Sequence, residues 1–169
     1  MDAVRLIAAG RHALAQSRAA LDIVVEAWQA QALAQAIGSW LAVTGPPELR
    51  AEARGLGEAG GRGCGVLDRP ALTQDGRSGD YRPRAAQLSE VSDPRQALLG
   101  LGALLGEVGI ALVGVACATD EEGLYWQCIE AIDAADESSD RVRALLRRLT
   151  DRERGSTSGA ARDSTAGAT

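Results

Sequence analysis

The sequence predicts an all-α protein: a compact bundle of four to five helices with one long Gly-rich loop and a disordered C-terminal tail. Three observations carry that prediction. Apolar residues recur at three- and four-residue steps, as in Val4, Ile7, Leu14, Leu21, Val25 and Trp28, which is the period of a helix buried along one face. Proline and clustered glycine fall between such segments, where they punctuate helices. Helix-start chemistry stands at Ser92-Asp93-Pro94 and at Thr119 to Glu122, a capping residue with proline at the first helical position and a capping box. At 169 residues the chain suits one domain, large enough to bury a continuous core. Residues 1–154 are read as that domain and 155–169 as the tail.

Taken in order, Asp2 to Thr44 reads as helix without proline. It is one long helix or two stacked ones, with a break or a drift of the apolar face near Ser17 to Asp22, beyond which that face moves to Ala27, Ala30, Ala34, Ile37 and Leu41. Gly45-Pro46-Pro47 ends this stretch and begins a short helix through Leu49, Ala53 and Leu56, expected to fray among Gly55, Gly57, Gly60 and Gly61. The segment from about 62 to 83 has no regular period and is read as a long loop, of a length that is functional or mobile in compact domains. A turn or two of helix is expected within Arg84 to Val91, then a helix from Pro94 to about Ala118 and another from Thr119 to about Glu137. Ser138-Ser139-Asp140 is read as the cap of a last helix carrying the stripe Val142, Leu145, Leu146 and Leu149.

Composition narrows the function classes. Apolar residues make up 46% and charged residues 24%, with a net charge of −5, values of a globular protein and not of a disordered chain or a nucleic-acid coat. Lys, Asn and Phe are missing and all 18 basic residues are Arg, a pattern of GC-rich codon usage before it is chemistry. Nucleic acid is therefore not an expected partner, although Arg suits phosphate. Cys64, Cys117 and Cys128 are odd in number and far apart, which fits reduced cytoplasmic thiols better than a disulfide framework. Arg5 and Arg11 interrupt any secretory apolar run.

The segment Leu98 to Ala118 holds one charged residue, Glu107, and about 20 such residues can cross a bilayer. Membrane association is the less favoured reading, because the other amphipathic helices need an apolar surface and a helix hydrophobic all round suits a bundle centre. Gly102, Gly106 and Gly109 lie near one face, where close packing against the Ala-rich first helix is expected and a ligand groove is the alternative. Glu107 should find a partner there or titrate abnormally.

No motif carries catalysis. Gly55, Gly57 and Gly60 match GxGxxG but follow a helix and not the strand a dinucleotide site requires. A P-loop lacks its lysine. Cys64, beside Arg62, is the one thiol whose pKa could be depressed by a neighbouring charge. His12 with the three cysteines lacks the close-spaced ligand pairs of a zinc site. Two Glu-x-x-His pairs for a di-metal bundle cannot come from one histidine. No cofactor or metal is implied, and an enzyme is the less favoured class.

Eight acidic residues and no Arg lie between Asp120 and Asp140, and Arg141, Arg143, Arg147, Arg148, Arg152 and Arg154 follow. An antiparallel pair turning at Ser138-Ser139 would set acid beside base within the chain; an acidic partner for Arg147 and Arg148 is the alternative. Trp28, Trp40, Tyr125 and Trp126 hold most of the aromatic surface, and Trp126 becomes a contact candidate if exposed.

Two stretches, Glu26 to Gly38 (EAWQAQALAQAIG) with the following GPPELR turn, and Gly123 to Glu137 (GLYWQCIEAIDAADE), resemble a family of small proteins of streptomycete-type actinobacteria with no assigned activity. That resemblance implies a cytoplasmic bacterial setting and no residue roles. The sequence thus points to a non-enzymatic helical interaction or regulatory module, with a protein partner or a homo-oligomer, contacting through the Cys64 loop or the last helical pair. A small-molecule-binding bundle, and an enzyme within that class, using the Gly-lined helix is the alternative. The residues singled out are Arg62, Cys64, Glu107, Trp126, Arg147 and Arg148.

Overall fold

The computed structural model describes residues 1–67 and 82–163, with the side chains of 159–163 left aside. Five α-helices account for most of them: α1 (Ala3–Gln16), α2 (Ala20–Thr44), α3 (Arg50–Val66), α4 (Pro94–Ala118) and α5 (Glu122–Asp163), with short 3-10 turns at Pro47–Leu49 and Arg84–Gln87. Of the two forms open for the first stretch, one long helix or two, the chain takes two, parted between Gln16 and Ala20, and Gly45 closes α2. Most of the expected loop, residues 68–81, lies outside the described residues, as do residues 164–169 of the expected tail.

Local chemistry sets the starts. Asp93 accepts from the Gln96 N–H at 3.0 Å with Pro94 in the first turn of α4, and Thr119 Oγ1 accepts from the Glu121 N–H at 3.1 Å ahead of α5. At α1, Asp2 accepts from the Val4 N–H at 2.9 Å while its other oxygen takes the Ser92 N–H and hydroxyl at 3.0 and 2.7 Å. Ala3 N–H also donates to Glu90 at 3.0 Å, so the start of the chain is tied to the segment that leads into α4.

Two expectations are corrected. The glycine-rich α3 does not fray at Gly55 but runs to Val66. Each glycine costs helix propensity, about 1 kcal/mol against alanine, yet here their missing side chains let two backbones meet. A Cβ at Gly38 would lie 2.4 Å from Gly57 N, one at Gly60 2.5 Å from Gln35 N, and one at Gly63 2.4 Å from the Gln31 side chain. Gly57 and Gly60 of the GxGxxG match therefore sit inside a helix, facing α2.

The Ser138-Ser139 turn does not exist either. α5 passes straight through it, because Cys128, Ala131, Ala135, Ser138, Val142, Leu145 and Leu149 form one unbroken buried seam and no proline interrupts it. Ser138 is a small polar member of that seam; its hydroxyl donates to Gln31 Oε1 at 2.8 Å. The helix also continues past Glu153, where residues 155–158 are exposed.

α2 is central and touches every other helix. It is fully buried at Ala27, Ala34, Ile37 and Leu41, the face the sequence indicates. α4 lies against α1, α2 and α5, contributing Leu98, Leu101, Leu104, Leu105 and Leu112 to the core; each such leucine stabilises the fold by about 1.5–3 kcal/mol on burial.

The glycine contacts give a signed expectation. Gly60→Ala should destabilise by about 1–3 kcal/mol, since α2 backbone must move, whereas Gly65→Ala, where a Cβ meets nothing within 4 Å, should be neutral or stabilise by up to about 1 kcal/mol. Urea denaturation of both variants checks it; equal effects would remove the close-approach argument. The Asp2 carboxyl is held below its ordinary value of 3.8, first by the Ser92 backbone N–H and then by the Ser92 hydroxyl. Its stabilisation is present above the unfolded pKa and fades as pH falls through the lower folded pKa. Asp2→Ala should cost about 1 kcal/mol at pH 7, and the gap from the parent should close below about pH 4 in pH-dependent unfolding.

Candidate interaction surface

α4 is apolar all round, with a mean hydropathy of 2.1 over its most apolar window, but only 39% of that window is buried. The expected position at the centre of the bundle is therefore met on one side alone. Along the other side run Leu99, Ala103, Gly106, Ile110, Val113 and Cys117, all exposed. Leu99 is 55%, Ile110 76% and Val113 48% accessible, a continuous strip and not the scattered apolar residues any surface carries. The spacing alternates four and three residues over a length of about 27 Å, the pattern of a coiled-coil seam.

The glycines of α4 are not used as expected. Gly100, not the Gly102 to Gly109 set, meets α1, with its Cβ position 3.2 Å from Ile7. Gly102 faces Val142 of α5 at 3.4 Å, and at Gly106, Gly109 and Gly114 a Cβ would meet nothing within 4 Å.

Glu107 has its partner: Arg11 Nε approaches its two carboxylate oxygens at 3.0 and 3.1 Å. The pair flanks the exposed strip on the α1 side and is itself largely solvated, with side-chain exposures of 47% and 40%, so it contributes at most about 1 kcal/mol. It does not line the cleft of ≈ 570 Å³ between the start of α2 and the end of α4, which is bounded by Ile23, Ala111, Val115 and Ala118, with Arg18, Asp120 and Glu121 among its polar groups.

The other singled-out residues do not converge. Arg62 on α3 pairs with Glu137 of α5. Cys64 lies half-buried on the same helix with its thiol directed at the Trp28 carbonyl, 3.9 Å away, and burial pushes the thiol up to about 11. That is opposite in direction to the depression expected beside Arg62. Arg148 lies 3.7 Å from Glu52 of α3, while Arg147 is exposed. Because α5 is one helix, its acidic and basic halves are not set side by side; cross-helix pairs to α3 and α4 take that role, including Arg95 to Glu153 at 2.8 Å. Trp126 is 55% exposed on the first turns of α5, edge-on to Tyr125 at 5.3 Å. Trp28 and Trp40 pack against the core.

Among the described residues, no three His, Cys, Asp or Glu side chains gather where they could hold a metal ion. His12 is exposed near Gln16, and Cys128 is buried.

Sequence reasoning missed the exposed strip for a definite reason. In a helix whose inner and outer residues are both apolar, the three-four spacing exists on more than one face and carries no phase.

The thiols provide a direct check. Cys117 is exposed, whereas Cys64 is half-buried and, with its thiol pushed up to about 11, should hold a thiolate fraction on the order of 10⁻³ at pH 8. Timed alkylation read by mass spectrometry should label Cys117 first and leave Cys64 nearly untouched in the folded protein. Comparable rates would contradict this placement.

No curated protein and no solved structure matches the chain. A family model described as a family of unknown function (DUF6099) matches residues 1–148, a span that takes in all of α1 to α4 and α5 through the seam residue Leu145. The chain belongs to that family.

Proposed function

We propose that the protein is a non-enzymatic helical interaction module that works through the outer face of α4. The observation carrying this reading is the continuous exposed strip from Leu99 to Cys117, on a helix whose opposite side is fully committed to the core. An apolar strip of this length costs solubility when bare and gains from burial at about 25 cal/mol per Å², so its physical use is contact. The assigned surface differs from those expected from sequence, the Cys64 region and the basic part of α5. Arg62 and Arg148 face acidic side chains of neighbouring helices, and Cys64 is half-buried.

The small-molecule reading has less behind it. The charged residues that line the cleft beside α4, Arg18, Asp120 and Glu121, are all exposed, whereas ligand and catalytic pockets hold their few polar groups within an enclosing apolar wall. A cytoplasmic, actinobacterial setting belongs to the same proposal, supported by the Lys-free, Arg-rich composition and the three free thiols.

The test compares tagged wild type, Ile110→Glu and the double variant Arg147→Glu/Arg148→Glu. Each is captured from a nuclease-treated lysate, with circular dichroism as the check on fold. Ile110 is exposed, so its substitution should alter stability by less than about 0.5 kcal/mol. A stoichiometric partner, its own chain or another, should be lost with Ile110→Glu and kept by the Arg variant. Retention by Ile110→Glu would sink the proposal.

A further inference from the structure

We infer that the occupant of the α4 face is a second copy of this chain, bound antiparallel about a two-fold axis that passes between Gly106 and Ile110. This rests on the interaction reading above and names its partner.

The argument starts from size order along the strip. From one end to the other it reads Leu99, Ala103, Gly106, Ile110, Val113 and Cys117. The first half runs from large to small and the second starts large and ends small. Laid antiparallel on itself, Leu99 meets the partner's Cys117, Ala103 meets the partner's Val113, and Gly106 meets the partner's Ile110. Each layer then joins a larger side chain to a smaller one, and each occurs twice, as a two-fold contact requires. These are also the seam pairings of antiparallel helices, in which the two seam positions of the heptad face each other. Parallel pairing in register sets Ile110 on Ile110 and Gly106 on Gly106, a bulge beside a void, and interfaces as well as cores are penalised for both.

The open space at Gly106 fits the same arrangement. A Cβ there would meet nothing within the chain, so packing inside the chain does not account for the loss in helix propensity. A facing Ile110 that approaches the helix backbone does.

Charge agrees at the ends. The antiparallel overlay carries Asp120, Glu121 and Glu122, which follow α4, onto the partner at the level of Arg95. Arg95 reaches Thr150 and Glu153 of α5, so that end of the bundle also carries Arg147, Arg152 and Arg154, which outnumber Asp151 and Glu153 among them. Acidic end then meets basic end in both halves of the dimer, whereas a parallel dimer sets like against like. Near the axis each Glu107 arrives already neutralised by Arg11 of its own chain.

The experiment is sedimentation velocity across about 1–100 µM together with disulfide mapping on the full chain. Wild type should sediment at twice the 17.5 kDa chain mass, and Ile110→Glu should weaken the dimer at least about 100-fold, because the substitution enters both copies of a central contact. Under mild oxidant Leu99→Cys should form a covalent dimer through the partner's Cys117, and adding Cys117→Ser should abolish it. Wild type should form no Cys117 to Cys117 link, since those residues lie about 27 Å apart along the axis, far beyond disulfide reach. A Cys117 to Cys117 link in the wild type, or a dimer indifferent to Ile110→Glu, would overturn the arrangement. A monomer at all concentrations that still loses a different protein on Ile110→Glu would overturn the second-copy assignment and leave the interaction module standing. A monomer without Ile110-dependent capture, or one that sediments with phosphatidylcholine vesicles unless Ile110 is replaced, would overturn both.

Discussion

The close approach of α2 and α3 is the constraint on which the remaining structure depends. Helices ordinarily pack with axes 8–10 Å apart, held off by their side chains. Here Gly38, Gly57 and Gly60 remove those side chains on both partners, and at Gly38 and Gly60 even a methyl group would strike backbone. The consequence reaches well beyond the pair. With α3 drawn in, Gly63 lies over the Gln31 amide, and Gln31 accepts from the Ser138 hydroxyl of α5. α5 packs on α3 along one flank and on α4 along the other, and α4 in turn settles over α2 between α1 and α5 with its outer strip facing solvent. Remove the glycine contact and the seat of α5 changes, and with it the orientation of α4.

That seat is not free of cost. Gln31 is 1% exposed, and its Nε2 finds no acceptor among the described residues. An unpaired buried amide donor costs about 1–3 kcal/mol. An apolar residue of similar shape would spare that cost but would abandon the bond to Ser138, leaving that hydroxyl, on a fully buried residue, without its acceptor. The pairing works as a register mark: only one sliding position of α5 along α2 and α3 satisfies it. The seam of α5 is otherwise built of Cys128 and interchangeable Ala, Val and Leu, which specify burial but hardly specify position.

How much of this was legible in the sequence depends on what each residue had to report. The end of α2 and the start of α4 were readable, because Gly45-Pro46-Pro47 and Asp93-Pro94 act on their own backbone. The buried face of α2 was readable from the spacing of Ala27, Ala34 and Ile37. Misreadings arose where a residue's local preference was overridden by a partner far along the chain. Gly57 to Gly63 break helices in isolation but complete one against α2. Ser138-Ser139 caps helices in isolation but is buried mid-helix, one of the pair held by Gln31, which is 107 positions away. Cys64 beside Arg62 suggested an activated thiol, yet Arg62 turns to Glu137 and the thiol turns inward. No local rule could supply those partners.

The exposed side of α4 shows the same limit from the opposite direction. Amphipathic helices announce their outer face through charge, and α4 has too little charge to do so; Glu107 sits at the flank, where Arg11 can reach it. The residues facing out are nonetheless unlike those facing in. The inner side is mostly leucine, with Leu98, Leu101, Leu104, Leu105 and Leu112 buried. The outer side falls twice from bulky to small, Leu99 through Ala103 to Gly106 and Ile110 through Val113 to Cys117. A leucine-rich surface packs against many shapes, whereas one graded in size discriminates more sharply among the surfaces it can meet. Size order, read after the fold has fixed the phase, therefore carries information that hydrophobicity alone does not. It distinguishes a face that is merely apolar from one shaped for a particular contact.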